Sequence, residues 1–311
     1  MSVYISIVVC TYNRAPLLAE AMQTLTEQSV APSSYEIIVV DNNSSDDTHS
    51  VVTEFCRRYP NVRYCFEPRQ GVAHARNRGW KEARGEYVGY LDDDCIAPKE
   101  WLAVAAEVIK QYSPGVLGGP VLPRYDTPKP PWYEDIYIAL DWGDQARALS
   151  GKILSAQNLF VRRALLSEVG GFDPNLGHRG EARAFGEETS LQMSIRATMP
   201  EQIIYYDPRL CVNHMIQAEH MALRWLARER FARGRYHAHR KGKSEHLGQL
   251  SLLRRAVLTL VSIGAVVVSG VLLRNRKKDP YFLGYVYKHA HEHVKTLGII
   301  YEQFSCRTSI V

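Results

Sequence analysis

The chain has 311 residues, enough to bury a full α/β core and carry an appendage, so its size excludes neither an enzyme nor a second unit. Its 38 Lys and Arg against 33 Asp and Glu leave a formal charge of +5, too little to argue for nucleic acid as a partner, and the excess is concentrated after residue 220. Six cysteines (Cys10, Cys56, Cys65, Cys95, Cys211 and Cys306) have no CxxC spacing, which speaks against a zinc ribbon or a dense disulfide framework and fits a reducing compartment.

Short apolar runs rich in β-branched residues, at 4–10, 36–40, 62–66 and 87–91, predict buried strands. The first lacks the basic start and cleavage site of a secretory signal, so the catalytic part is expected in the cytosol. Between the runs lie helical patterns. Residues 16–28 place Leu17, Leu18, Ala21, Met22 and Leu25 on one stripe, and a second stripe holds Val51, Val52, Phe55 and Cys56. Such alternation predicts a mostly parallel sheet flanked by helices, with ligands beyond the carboxyl ends of its strands.

Three polar loops stand at those ends. After the first strand comes Thr11-Tyr12-Asn13-Arg14, opening a helix whose amides suit an anion, with Tyr12 able to stack on a base. After the second comes the run at 41–48, where Asp41 can accept hydrogen bonds from a base or ribose, while residues 43–47 read as a turn and helix cap. Residues 70–79 supply small residues for close helix-sheet packing, Arg76 to reach a nucleotide, and Arg78 on the surface. After the fourth strand stands Asp92-Asp93-Asp94. Three adjacent carboxylates repel one another, so the triplet is either a Mg²⁺ or Mn²⁺ diphosphate site or a solvated acidic turn capping the helix beyond Pro98.

Residues 123–142, rich in Pro and aromatics, predict a long surface loop in which Trp132, Tyr133 and Trp142 either stack on an acceptor sugar or pack in the core. A helix is expected at 187–199, opened by Glu187 and Glu188, then short strands at 203–206 and 210–213, with His214 just after the last. Residues 217–239 predict a basic helix in which Arg224, Arg228, Arg230, Arg233 and Arg235 alternate with Trp225, Phe231 and Tyr236. His237, His239, His289, His291 and His293 show no ligand spacing, and the last three read as a solvated helix face. Residues 256–273 carry no charge and as a helix would extend about 27 Å, near the lower limit for a span. Basic residues flank both ends, which favours a re-entrant or in-plane helix at the cytoplasmic face of the membrane over a single span; burial in a soluble core or dimer interface is the alternative.

Taken in order, VVCTYNR, VDNNSSDDT, QGVAHARNRG and LDDD resemble the family 2 glycosyltransferases of GT-A fold, over roughly residues 4–215. The resemblance implies a 1–215 nucleotide-sugar domain and a helical extension at 216–311. It implies that Thr11, Tyr12, Asp41 and Arg76 line the nucleotide pocket together with Arg14 and Asp93, that Asp92 faces the ribose or sugar, and that Asp94 ligates Mg²⁺ or Mn²⁺. His214 resembles the family's late histidine, which can add a metal ligand. Residues 155–163 and 170–173 resemble its sugar-side strand and turn. The family's Glu-Asp pair, whose Asp is the general base, is here Glu187-Glu188, so the base position holds a Glu whose extra methylene shifts the carboxylate by about 1.5 Å; Glu187 stands as the substitute. The implied activity is inverting transfer from a nucleotide-diphosphate sugar, a UDP-sugar first, to a glycan or lipid-linked acceptor at a membrane surface, without nucleic acid. Two other readings remain: a nucleotide-sugar binding protein without turnover, and a sugar-1-phosphate nucleotidylyltransferase, which would want a Gly-rich basic loop where Thr11–Arg14 stands.

Overall fold

A computed structural model describes residues 5–180, 184–241 and 248–308. Residue 4 of the first predicted strand and the side chain of Cys306 lie outside the described residues; the other five cysteines are free thiols. The chain forms two compact units, one made of residues 1–124, 138–182 and 186–215, the other of 125–137, 183–185 and 216–311.

In the first unit β1 (Ile5–Thr11), α1 (Ala15–Thr26), β2 (Tyr35–Asp41), α2 (Thr48–Arg58), β3 (Val62–Phe66), α3 (Val72–Glu82) and β4 (Tyr87–Leu91) follow the predicted alternation. There follow β5 (Cys95–Ile96), α4 (Trp101–Tyr112), β6 (Val116–Gly118), β7 (Val121–Tyr125), β8 (Arg147–Ala148), β9 (Asn158–Arg162), α5 (Arg163–Val169), α6 (Glu187–Thr198), β10 (Ile204–Tyr206) and β11 (Val212–Ile216). Eight strands form one sheet in the order β3-β2-β1-β4-β9-β6-β10-β8, and β5-β11-β7 form a second. The neighbours among β1 to β4 are parallel, whereas β9 runs antiparallel to both β4 and β6.

Every residue of β2 is buried because both faces of the sheet are covered. Side chains alternate across the pleat: Ile7, Val9, Ile37 and Val39 pack with Leu18, Met22 and Leu25 of α1 and with α4, while Val8, Ile38 and Val40 pack with Ala73 and Ala75 of α3. The parallel register pairs Thr11 with Asp41 and Val8 with Tyr90, so β1, β2 and β4 deliver their carboxyl ends to one edge.

Two boundaries differ from expectation. β11 runs past the predicted 210–213, so His214 lies inside a strand and pairs with Cys95 of β5. The acidic triplet caps nothing: α4 begins at Trp101 with Glu100 before it, which removes the capping alternative. Trp142, offered as a stacking surface, is half-buried, donates from Nε1 to the Ile153 carbonyl (3.2 Å), and carries the Lys152 ammonium 4.4 Å above its ring.

The second unit contains α7 (Leu223–Lys241), α8 (Gln249–Leu272) and α9 (Phe282–Thr308). The predicted helix at 217–239 is divided, because extended backbone at Ala222 separates a short 3-10 turn, Ala218–Met221, from α7. Tyr133 is buried and packs on Trp132, Tyr125 and Tyr137, so packing takes precedence over an acceptor-facing role there. His291 and His293 are half-buried rather than solvated, and His291 stacks on Tyr287 at 5.5 Å. α7 and α9 approach closely through a pair of glycines. A Cβ added at Gly234 would stand 2.0 Å from the Lys295 carbonyl oxygen, and one at Gly298 would stand 2.0 Å from that of Phe231. Neither carbonyl can retreat without bending its helix. Gly234→Ala and Gly298→Ala should each destabilise this unit by about 1–3 kcal/mol. Thermal unfolding monitored in the helical circular-dichroism signal checks this, and unchanged melting in both variants would contradict the crossing.

Candidate active site

The loops beyond β1 and β2 are tied to each other before they meet any ligand. Asn13, at φ 52°, donates its backbone N–H to Ser44 Oγ (3.0 Å) and accepts at Oδ1 from the Ser45 N–H (2.7 Å). Asp46 serves two helix starts at once: Oδ2 accepts from the Ala15 N–H that opens α1 (3.0 Å), and Oδ1 from the N–H and hydroxyl of Thr48, which opens α2 (3.1 and 2.5 Å). This is the capping role expected for residues 43–47. Asn42 fixes the next loop, donating to the Glu67 and Arg69 carbonyls (3.0 and 2.7 Å) and accepting from the Gly71 N–H ahead of α3 (2.8 Å).

Asp41 ends β2 with a buried side chain. Its Oδ1 accepts from the Ser44 N–H (2.8 Å) and its Oδ2 from the Tyr64 hydroxyl (3.0 Å), and burial together with this carboxylate pushes the Tyr64 phenol up to about 12. Thr11 is buried beside it on β1, and Tyr12 is half-buried.

The acidic triplet is neutralised in part by two arginines. Arg14, just before α1, donates from Nη1 to Asp93 Oδ1 (3.2 Å) and Asp94 Oδ2 (2.9 Å). Arg76, on α3, donates from Nη2 to Asp92 Oδ1 (3.0 Å) and from Nη1 to Glu187 Oε1 (2.6 Å), while its guanidinium lies 5.6 Å from the centre of the Phe172 ring. His214 Nε2 reaches the same Asp94 Oδ2 at 3.4 Å. The β5–β11 pairing explains that approach, since it also brings the Met215 N–H to the Asp94 carbonyl at 2.8 Å. Glu187 is buried at the first position of α6, Glu188 is half-buried next to it, and both carboxylates raise the pKa of Arg76 against the opposing effect of burial. Arg78 lies on the surface, paired with Glu82 at 2.9 Å.

The structure thus gathers Arg14, Arg76, Asp92, Asp93, Asp94, Glu187 and His214 into one linked cluster, with Thr11 and Asp41 at adjacent strand tips. The sequence shows neither the ion pairs of Arg14 nor the bracing of Asn42, Asn77, Asn158 and Gln192. Asn158 accepts from Trp101 Nε1 (3.0 Å), Gln192 clips both backbone polar groups of Leu154 (2.9 and 2.7 Å), and Asn77 holds those of Phe172 (2.7 and 2.9 Å). An amide within an apolar run, as at Asn158-Leu159-Phe160-Val161, is the one available signal for such a brace.

A matching family description, glycosyl transferase family 2, covers residues 6–170. The chain belongs to glycosyl transferase family 2. It is 28% identical over 180 residues to glycosyltransferase AglE of Haloferax volcanii, a match that covers 57% of this chain and 59% of AglE. It is 24% identical to the glucosyl-dolichyl phosphate glucuronosyltransferase of the same organism, over 74% of this chain and 75% of that one. To succinoglycan biosynthesis protein ExoM of Rhizobium meliloti it is 26% identical, over 79% and 77%. Among solved structures, mannosyltransferase PcManGT from Pyrobaculum calidifontis, in complex with GDP-Man and Mn²⁺, superposes with a TM-score of 0.58 at 19% identity, covering 99% of this chain and 75% of that one. S. aureus TarS 1–349 in complex with UDP-GlcNAc gives 0.56 at 19% identity, covering 97% and 92%. The fold of this family 2 member is therefore the mixed α/β fold of the GT-A glycosyltransferases.

Within the cluster Asp93 is a buried carboxyl beside a second one, Asp94. Burial raises its carboxyl to about 7, against the lowering effect of Arg14, with Asp94 adding to the rise. A carboxyl whose pKa is higher folded than unfolded stabilises the fold at low pH, and that contribution is lost as pH climbs from about 4 towards 7. Asp93→Asn should therefore raise the melting temperature relative to wild type more at pH 8 than at pH 5. Thermal melts with a chelator present test this, and an equal shift at both pH values would contradict it.

Proposed function

We propose that this family 2 member transfers a sugar, with inversion, from a nucleotide-diphosphate donor to a glycan or lipid-linked acceptor, with a UDP-sugar as the first donor to test. The observation carrying this reading is the convergence of Asp92, Asp93, Asp94, Arg14, Arg76, Glu187 and His214 at one end of the sheet. Relatives support the substrate class: one is named for a dolichyl phosphate-linked acceptor, and the two solved neighbours hold GDP-Man and UDP-GlcNAc.

In this reading Thr11, Tyr12, Asp41 and Arg76 border the nucleoside, with Asp92 towards the ribose or sugar. Asp94 and His214 fit a Mg²⁺ or Mn²⁺ ion, since one carboxylate oxygen and one imidazole nitrogen converge where negative charge is in excess. Such an ion would supply positive charge to the diphosphate as it leaves. Glu188 takes the acceptor hydroxyl proton, the acceptor oxygen bonds to the anomeric carbon, and the bond from that carbon to the diphosphate oxygen breaks. Glu188 stands where the family resemblance places the base, while Glu187 is buried and paired with Arg76 at 2.6 Å. Glu187 then acts as a positioning residue. Glu188→Gln should lower kcat by about 10²–10⁴-fold. Glu187→Gln should lower the melting temperature, since it leaves the buried Arg76 short of a partner. Full kcat in Glu188→Gln would overturn the assignment.

We further propose that α8 lies in a membrane surface at the cytoplasmic face. Its 24 residues leave Leu250, Leu253, Leu258, Val261, Val268 and Leu272 exposed by 56–81%, and Arg254, Arg255, Arg274, Arg276, Lys277 and Lys278 flank the uncharged stretch. Basic residues at both ends favour a helix whose two ends remain with anionic headgroups. Wild-type protein should float with anionic lipid vesicles in a density gradient, and a Leu258→Asp/Val261→Asp/Val268→Asp variant should stay at the bottom; equal flotation would remove α8 as the anchor.

A further inference from the structure

The cluster holds one cation that is built to stay and one that is able to leave. Arg76 has a side chain only 5% exposed, paired with two carboxylates on different elements and packed over Phe172. The Arg14 side chain is 42% exposed, although the carboxylates that it bridges, Asp93 and Asp94, are only 5% and 8% exposed. Arg14 also stands at the start of α1, where the helix presents its positive end, an unfavourable place for a guanidinium. The two aspartates are what hold it there.

The same carboxylate oxygen serves Arg14 and His214. Arg14 Nη1 lies 2.9 Å and His214 Nε2 3.4 Å from Asp94 Oδ2, whereas Asp94 Oδ1 faces the Cys95 thiol at 3.8 Å. An ion ligated by both Asp94 and His214 therefore competes with Arg14 for one oxygen. Among the described residues no three His, Cys, Asp or Glu side chains are gathered as a ready metal site, so the protein offers such an ion few ligands of its own. A donor diphosphate can supply the missing oxygens, and it is also the natural new partner for a guanidinium.

We propose that Arg14 is an exchangeable counter-ion: it neutralises Asp93 and Asp94 in the donor-free protein, gives up Asp94 to the divalent cation, and transfers its charge to the diphosphate that arrives with that cation. This deepens the functional reading and rests on Asp94 and His214 being the cation's protein ligands. Its consequence is coupling. Arg14 suppresses cation binding without nucleotide and favours it with nucleotide, so the site loads both together.

The test is Mn²⁺ binding, followed by the electron paramagnetic resonance signal of free Mn²⁺, with the purified 311-residue chain in the presence and absence of UDP or GDP. Arg14→Gln should bind Mn²⁺ without nucleotide about ten-fold or more tightly than wild type, and should gain less from added nucleotide. Arg14→Lys, which keeps the charge but loses the fork across two carboxylates, should fall between them. Nucleotide-free Mn²⁺ affinity in Arg14→Gln and Arg14→Lys equal to or weaker than wild type overturns the proposal. Adding Asp94→Asn to Arg14→Gln should abolish the gained affinity, and persistence of tight binding places the ion elsewhere and also overturns it. The two readings fail differently. If wild type binds Mn²⁺ with nucleotide in an Asp94-dependent way and only the Arg14 effect is missing, the metal assignment stands and the exchange falls. If Asp94→Asn leaves nucleotide-dependent Mn²⁺ binding unchanged, the metal assignment itself falls.

Discussion

Four carboxylates crowd one edge of the sheet, and the ion pairs of Arg14 and Arg76 are what make that crowding tolerable. Asp92, Asp93 and Asp94 are consecutive, and Glu187 reaches them through Arg76 from the start of α6. Desolvating so many charges is costly unless each has a partner with good geometry. Two guanidinium groups and the His214 imidazole meet these four carboxylates. Burial is the first cause of the raised Asp93 carboxyl, and the neighbouring Asp94 charge adds to it.

The surroundings of the cluster are organised to keep it in place without ligand. Asp46 ties the starts of α1 and α2 together, Asn42 ties the end of β2 to the start of α3, and Asn13 ties the first two loops. These bonds hold the loops that carry the cluster in register with one another. Arg76 performs the equivalent task between β4 and α6. The frame around the cluster is thus tied at several points, while the Arg14 side chain is 42% exposed.

The parallel half of the sheet was readable in the sequence because strands covered on both faces are written as unbroken apolar runs. Residues 36–40 and 87–91 could hardly be anything else, and Asp41 and Asp92 stand where those runs end. The antiparallel half was not readable in this way. β9 enters between β4 and β6 from a distant part of the chain, and nothing in Asn158–Arg162 says which neighbours it will choose. Arg14 illustrates a different limit: its motif marks it as a polar loop residue, but its partners stand 79 and 80 positions away and only the register of β1 with β4 brings them together. α7 concealed its boundary because Arg and aromatic residues alternate through it without a clean apolar stripe, so the break at Ala222 had no signature.

The second unit answers two opposite demands with two kinds of helix surface. Where α7 and α9 meet, Gly234 and Gly298 bring the backbones so near that no side chain fits between them, and polar groups such as Arg235 and Glu302 (2.7 Å) close the rim. α8 is treated in the reverse manner. Its small residue Gly270 receives Phe282 and Tyr285 of α9, and Ser269 Oγ meets Tyr285 OH at 3.0 Å, but its leucines and valines face outward. A chain able to pack two helices to glycine contact has no packing reason to leave a third so apolar and so uncovered. The outward leucines and valines and the basic residues at both ends of the stretch are the two features on which the proposed membrane-surface placement rests.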